Sequence, residues 1–120
     1  MTNNLTMRIC LRRKRIALSR YMIKQLGNPS HLIFWYNEAS GEFIISPAAQ
    51  DDLDAFEIPQ YYWHGSKKHT CEVARIALLK ALQYRLGWED DSAYLCEGTF
   101  AVSGDIPAAV FNLVNGNRLR

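Results

Sequence analysis

Residues 7–27 of this chain, MRICLRRKRIALSRYMIKQLG, decide the fold that the sequence predicts. Alternating apolar and polar residues over 5–11 predict a short strand, and residues 15–18 form a second apolar run after three basic residues. Ser19 is a residue type that caps helices, and the apolar residues after it supply one face of a short helix. Gly27 ends that helix, because a glycine followed closely by a proline stops it. We therefore expect strand, turn, strand and short helix, in that order.

The chain after residue 27 predicts two hairpins, separated by a connector and a longer helix. The first hairpin joins strands over residues 31–37 and 42–46 through a glycine-containing turn. Residues 74–86 have apolar residues at helical spacing and predict the longest helix of the chain. Residues 92–102 and 108–114 predict the two strands of the second hairpin.

The two halves of the chain share an element order and a few letters, which indicates an internal duplication. Arg15-Ile16-Ala17-Leu18 recurs as Arg75-Ile76-Ala77-Leu78, and Leu26-Gly27 recurs as Leu86-Gly87, each 60 residues further on. We therefore expect an α+β fold built from two tandem β-α-β-hairpin units. The first unit spans residues 1–47, an acidic and aromatic connector spans 48–66, a diverged second repeat spans 67–114, and a polar tail spans 115–120.

The composition excludes several classes of protein. A chain of 120 residues and 13.8 kDa, 48% hydrophobic and 22% charged, has the size and composition of one folded globular domain. No apolar run approaches the roughly 20 residues that span a bilayer, and the first residues lack the apolar segment of a secretory signal. Three widely spaced cysteines are typical of reduced thiols rather than of a disulfide framework. We therefore expect a cytoplasmic protein with no membrane partner.

Basic residues are concentrated at the start of the chain. The first 37 residues contain seven Lys or Arg and no acidic residue, a charge of +7. The remaining residues contain seven basic and twelve acidic residues, a charge of −5, so the two parts sum to the net +2. A basic block on a mildly acidic remainder is typical of a surface that contacts phosphate. The other interpretation is a solvated cationic loop, and charge alone leaves both open.

The order of elements in the first half resembles the AbrB/MazE/MraZ superfamily of swapped-hairpin DNA-binding proteins. Residues 7–15 match the first strand and turn, 15–18 the second strand, 19–27 the helix and 31–47 the closing hairpin. The duplication extends the resemblance towards a two-copy, MraZ-like plan, which implies a small β-barrel with short helices. Lys14 stands where the family usually has a glycine before its basic turn residue, and Ser19 stands where a proline is expected at the helix start.

The resemblance implies a dimer or higher oligomer that binds duplex DNA through paired N-terminal hairpins. By position, Arg8, Arg15 and Lys24 correspond to DNA-contacting residues of the family. Charge alone adds four more candidates, Arg12, Arg13, Lys14 and Arg20. Arginine can bond a phosphate or a guanine edge with two parallel hydrogen bonds, and a β-hairpin fits in the major groove. We therefore expect a non-enzymatic transcriptional regulator of bacterial or phage origin, of the antitoxin or mobile-element type.

A second interpretation keeps the fold but gives it a protein partner. The consecutive aromatic residues Tyr61, Tyr62 and Trp63 are difficult to bury together outside a strand, and an exposed part of this run would suit a protein interface. The alternative function is therefore a small inhibitor or adaptor, of the phage or mobile-element type, that acts on a nucleic-acid-handling complex of its host.

No residue pattern predicts catalysis or a bound cofactor. The chain has no P-loop, nucleophile elbow, dinucleotide-binding turn or HExxH sequence. His64, His69 and Cys71 are close in sequence but are one ligand short of a structural zinc site. The three aspartates between residues 51 and 54 are better interpreted as a solvated acidic linker than as a metal site. We therefore expect neither enzyme activity nor a metal or cofactor.

Overall fold

Strands dominate the computed structural model, which describes residues 5–64 and 70–119. The strands of these residues are β1 (Leu5–Cys10), β2 (Arg15–Ser19), β3 (His31–Asn37), β4 (Glu42–Pro47), β5 (Phe56–Glu57), β6 (Thr70–Val73), β7 (Ala93–Ser103), β8 (Ile106–Asn112) and β9 (Asn117–Leu119). The helices are α1 (Arg20–Gln25), α2 (Gln60–His64) and α3 (Ile76–Leu86), and a 3-10 helix spans Leu113–Asn115. The architecture is a small α+β domain with a curled antiparallel sheet and a few short helices.

All of these strands belong to one antiparallel sheet. Its order is β5-β3-β4-β8-β7-β1-β2-β6, and β9 also pairs with β7. The long strand β7 joins the two halves of the sheet, since its first six residues pair with β1 and its last six pair with β8. Gly98 lies where the two pairings meet, and a Cβ atom there would be 2.4 Å from the carbonyl oxygen of Val110. Only glycine fits at this crossing point without a shift of the backbone.

The core lies on the inner side of the sheet and follows the alternation of each strand. Leu5, Met7 and Ile9 of β1 are buried, and the residues between them are exposed. Phe43 and Phe111 pair across β4 and β8 and are fully buried. Helices α1 and α3 each add two buried side chains to this apolar core, whose removal from water is the main force that holds the sheet curled. None of the helices in the described ranges has both the length and the apolar character needed to cross a membrane.

The N-terminal elements form as the sequence predicts. β1, β2 and α1 follow one another, and the Ser19 hydroxyl caps α1 by accepting a 3.1 Å hydrogen bond from the Met22 amide. Gly27 after α1 and Gly87 after α3 have positive φ angles of 90° and 67°, the left-handed conformation that ends many helices. The two predicted hairpins are confirmed as the pairs β3–β4 and β7–β8.

Three segments differ from the prediction. Residues 117–119, expected within a frayed polar tail, form β9 and pair with the start of β7 through backbone hydrogen bonds that need no apolar side chains. The connector contains β5 and the helix α2, which its polar and aromatic letters do not predict. The repeated letters do not occupy equivalent positions, because residues 15–18 lie in β2 whereas 76–78 lie in α3. A run of three apolar residues fits a strand or a helix equally well, so its environment decides.

Candidate nucleic-acid interface

Strands β1 and β2 direct basic residues to the outside of the sheet. The alternation that buries Met7 and Ile9 leaves Arg8 exposed between them, and β2 has Arg15 on the same outward side. Arg8 is opposite Ala17 in the β1–β2 register, so Arg15 is its diagonal neighbour, two residues along β2. Diagonal side chains of an antiparallel pair are about 7–8 Å apart, which is close enough for two arginines to contact one ligand.

A groove of about 880 Å³ lies over this outward face, and we call it the outer groove. It is lined by Thr6, Arg8, Cys10, Arg13, Arg15, Ala17, Ser19, Thr70, Glu72, Ala93, Leu95 and Leu119. Three arginines from the β1–β2 hairpin therefore share one surface. The side chains between them are mostly small, so the strands can be approached closely by a ligand.

One carboxylate of the outer groove partly offsets this positive charge. Glu72 on β6 forms an ion pair with Arg15, with 3.7 Å between Nε and Oε1, and both side chains are about half exposed. An exposed pair of this kind contributes about 0–1 kcal/mol to stability, so a phosphate can compete for Arg15. Arg8 and Arg13 have no carboxylate within ion-pair distance among the described residues. The groove therefore keeps a net positive charge.

The β1–β2 turn keeps a conformation that favours glycine although it has none. Leu11 anchors the turn, since its side chain is buried and its amide donates to the carbonyl of Ser92 over 2.9 Å. Lys14 has a φ of 57°, which is left-handed and costs a residue with a Cβ roughly 1–2 kcal/mol. Lys14 is thus held in a strained backbone conformation that a glycine would adopt without this cost.

The other candidate basic residues do not line the outer groove. Arg12 and Lys14 lie next to α3, and Arg12 also shares a recess with Arg13, which lines the outer groove. The guanidinium carbon of Arg20 lies 4.7 Å from the ring centre of Tyr62, and its Nη2 donates to the Tyr62 carbonyl over 3.5 Å. Lys24 is exposed in the last turn of α1. The seven candidates therefore divide among several surfaces, and their role in DNA binding stays a prediction at each position.

The aromatic run lies on α2, and its three members differ in exposure. Tyr62 is buried and is therefore not in the exposed part of the run, and burial raises the pKa of its hydroxyl against the opposing effect of Arg20. Tyr61 is 52% exposed, and its hydroxyl accepts a 3.1 Å hydrogen bond from the backbone amide of Glu72. Trp63 is 36% exposed. A one-turn helix separates neighbouring side chains by about 100°, which is why one of the three can be buried while its neighbours are not.

The histidine and cysteine candidates do not assemble a site among the described residues. His64 shares a 3.1 Å hydrogen bond with Gln60 on the same helix, and His69 lies outside the described residues. Burial raises the pKa of the Cys71 and Cys96 thiols to about 11, so both are protonated at neutral pH. In the described part of the chain there is no group of three or more His, Cys, Asp or Glu that could hold a metal ion.

Sequence reasoning missed what the second half contributes to the outer groove. Glu72, Leu95 and Leu119 line it from β6, β7 and β9. Alternation within TCEV, residues 70–73, is a signal that Glu72 lies on the outward side. No local signal shows that β6 pairs with β2, because more than 50 residues separate them.

Comparison of the chain with protein-family models, with curated proteins and with solved structures gives no match. Its function is therefore argued from the charge and geometry of its own surface.

Proposed function

We propose that this chain is a non-enzymatic regulator that binds duplex DNA through the outer groove. The observation that carries the proposal is that Arg8, Arg13 and Arg15 line one groove on one face of the sheet. A basic block in the sequence does not by itself require its members to share a surface. A folded strand pair holds these side chains in a fixed register, so less conformational entropy is lost on binding than from a flexible tail.

The chemistry of the groove suits the sugar-phosphate backbone. Guanidinium groups bond phosphate oxygens with two parallel hydrogen bonds and stay charged at any physiological pH. The hydroxyl groups of Thr6, Ser19 and Thr70 add neutral donors along the same face. Phosphate contacts set the position of the protein on DNA, and one or two arginines are enough to read base edges.

The strand order supports a fold of two tandem units. Exchange of β1 with β5, β2 with β6, β3 with β7 and β4 with β8 converts the pairing β1–β7 into β3–β5 and β3–β4 into β7–β8. The same exchange leaves the pairings β2–β6 and β4–β8 unchanged, whereas the pairing β1–β2 has no β5–β6 counterpart among the described residues. Such correspondence is expected of a duplicated β-α-β-hairpin, and we infer an AbrB/MraZ-like half-barrel in which β5 has shortened to two residues.

An apolar surface elsewhere on the sheet favours a second candidate function, that of a protein-binding adaptor. Trp35, Ile44 and Val110 form one row across β3, β4 and β8 on the outward side. Trp35 is 52% exposed there, and Ile44 and Val110 are partly exposed. An apolar row of this kind is typical of a contact with another protein, either a partner or a second copy of the chain.

The test of DNA binding compares two double variants that remove the same charge. The groove variant is Arg8→Gln/Arg13→Gln, and the control variant is Arg85→Gln/Arg118→Gln, whose arginines pair with Glu38 and Glu89 outside the outer groove. Fluorescence anisotropy of a labelled duplex gives Kd over a range of salt concentrations. Each lost phosphate contact removes about 0.9 from the slope of log Kd against log salt, so the groove variant loses about 1.8 and binds about 60-fold more weakly at about 0.1 M salt.

Two results would overturn the proposal. One is that the wild-type chain does not bind the duplex at low salt. The other is that the groove and control variants weaken binding equally, since non-specific attraction to net charge would then explain it. A protein that copurifies in fixed ratio and survives nuclease treatment would instead support the adaptor function.

A further inference from the structure

A second cationic surface lies on the other side of the β1–β2 turn. It is a cleft of about 330 Å³ between the turn and α3, and we call it the turn–helix cleft. It is lined by Leu11, Arg12, Lys14, Ile76, Leu79, Lys80, Gln83 and Asp90. None of these residues lines the outer groove. The turn therefore borders both surfaces, and Arg12 also lines a recess of about 370 Å³ that shares Cys10, Arg13, Ala93 and Leu119 with the outer groove.

The cleft is assembled from two elements that are distant in sequence. Helical spacing places Ile76, Lys80 and Gln83 on the face of α3 that is turned towards the β1–β2 turn. Leu11, which continues the inward-facing residues of β1, and the buried Leu79 form an apolar base. The positive charges thus lie around a recess with an apolar base. An anion bound there would be only partly exposed to solvent, which strengthens its attraction to the charges.

The charge balance of the cleft favours an anion. Arg12, Lys14 and Lys80 are all exposed, and none has a carboxylate within ion-pair distance among the described residues. The single acidic residue is Asp90, whose Oδ1 accepts a 2.6 Å hydrogen bond from the Gln83 side-chain amide. Three cations against one carboxylate leave a net charge of +2 around a space of about 330 Å³.

We propose that the turn–helix cleft binds a backbone phosphate of the DNA strand opposite to the strand that lies in the outer groove. This inference rests on the proposed function and extends it. A two-stranded β-ribbon fits the major groove of B-DNA, which is about 12 Å wide and has a phosphate chain on each side. A β1–β2 turn with Arg13 towards the outer groove, Lys14 towards the cleft and Arg12 beside both can contact both chains at once. Lys80 then contributes from α3.

The contribution of Lys80 makes the second half of the chain part of the binding surface. The backbone strain at Lys14 is consistent with this, since glycine would relieve the strain but would remove a charge from the cleft. A single strand has only one phosphate chain and would occupy the outer groove, where three arginines converge. Duplex and single-stranded DNA of the same sequence should therefore depend differently on the cleft.

The experiment uses a cleft variant, Lys14→Asn/Lys80→Gln, beside the groove and control variants defined above. Asparagine tolerates the left-handed conformation at position 14, and all three variants remove two positive charges. Kd is measured by anisotropy over a salt series for a labelled duplex and for one of its strands. For the duplex, the cleft variant should lose about 1.8 from the salt slope and bind about 60-fold more weakly at about 0.1 M salt. For the single strand, its Kd should remain within about threefold of the wild-type value.

The outcomes separate this inference from the proposed function. If the groove variant loses duplex binding while the cleft variant matches the control variant, the cleft does not contact DNA and the inference is overturned, although the outer groove still binds. If the cleft variant weakens duplex and single strand equally, the cleft holds no separate strand and the inference is also overturned. If the wild-type chain binds no duplex at low salt, both proposals fail.

Discussion

The substitution Glu72→Gln should strengthen DNA binding, which is an unusual result for a surface variant. Glu72 is the single acidic residue that lines the outer groove, and its Oε1 lies 3.7 Å from Nε of Arg15. At that distance the attraction is about 1 kcal/mol in a water-like dielectric, and exposed pairs contribute about 0–1 kcal/mol. Removal of the carboxylate frees Arg15 and removes a repulsion from bound phosphate. We therefore expect up to about fivefold tighter binding at low salt.

The control for this substitution is Glu57→Gln on β5, which makes the same change in net charge at the far end of the sheet. Kd for a labelled duplex is measured by anisotropy, and the free energy of unfolding by urea denaturation. Glu72→Gln should cost less than about 1 kcal/mol of stability, because both members of the pair are about half exposed. Tightening that is no greater than that of Glu57→Gln would refute the assignment of the outer groove, and so would weaker binding.

Three predictions concern stability and are checked by urea denaturation. Gly98→Ala should lower the free energy of unfolding by about 3 kcal/mol, since the added Cβ would lie 2.4 Å from a carbonyl oxygen of β8. Lys14→Gly should raise the free energy of unfolding by about 0.5–1 kcal/mol, because relief of the left-handed strain exceeds the entropy gained by the unfolded chain. The control Arg13→Gly relieves no such strain and should lower the free energy of unfolding. The thiols of Cys71 and Cys96 have pKa values of about 11 against 9.0 when free, so the unfolded chain loses these protons first. The contribution of the two thiols to the free energy of unfolding should therefore be fully present below pH 9 and should be lost as the pH rises from 9 to 11. In a variant with both cysteines replaced by alanine, the free energy of unfolding should fall less steeply over this range.

Local signals were sufficient for the elements whose conformation is set by neighbours in sequence. The alternation in β1, the cap at Ser19 and the left-handed glycines after α1 and α3 each depend on a few adjacent residues. The hairpins β3–β4 and β7–β8 are likewise encoded by a turn between two strand-forming runs. These parts of the fold could be predicted because short-range interactions decide them.

Long-range pairing decides the rest, and it leaves little trace in the sequence. The match between residues 15–18 and 75–78 is misleading, since the first run pairs with β6 whereas the second begins a helix whose Leu79 and Leu82 are buried in the core. β9 has three residues with no apolar alternation and is held by its backbone pairing to β7. Tertiary context overrides local preference in both places.

The candidate site was predicted in its charge but not in its geometry. The basic block of the first 37 residues indicates a phosphate-binding surface. Arg13 and Lys14 lie on different surfaces because the buried Leu11 fixes the orientation of the turn, and Arg12 borders both surfaces. Glu72 and Lys80 are added by strands and helices more than 50 residues away. Only the folded chain brings them to the hairpin.

The most direct measurement of the central claim is an NMR titration that follows the Nε–Hε resonances of the arginine side chains as a duplex is added. The account predicts that Arg8, Arg13 and Arg15 shift and saturate together, whereas Arg75 does not shift, because its guanidinium is bonded to the carbonyls of Asp54 and Ala55. Shifts confined to arginines outside the outer groove, or no shift at low salt, would contradict it.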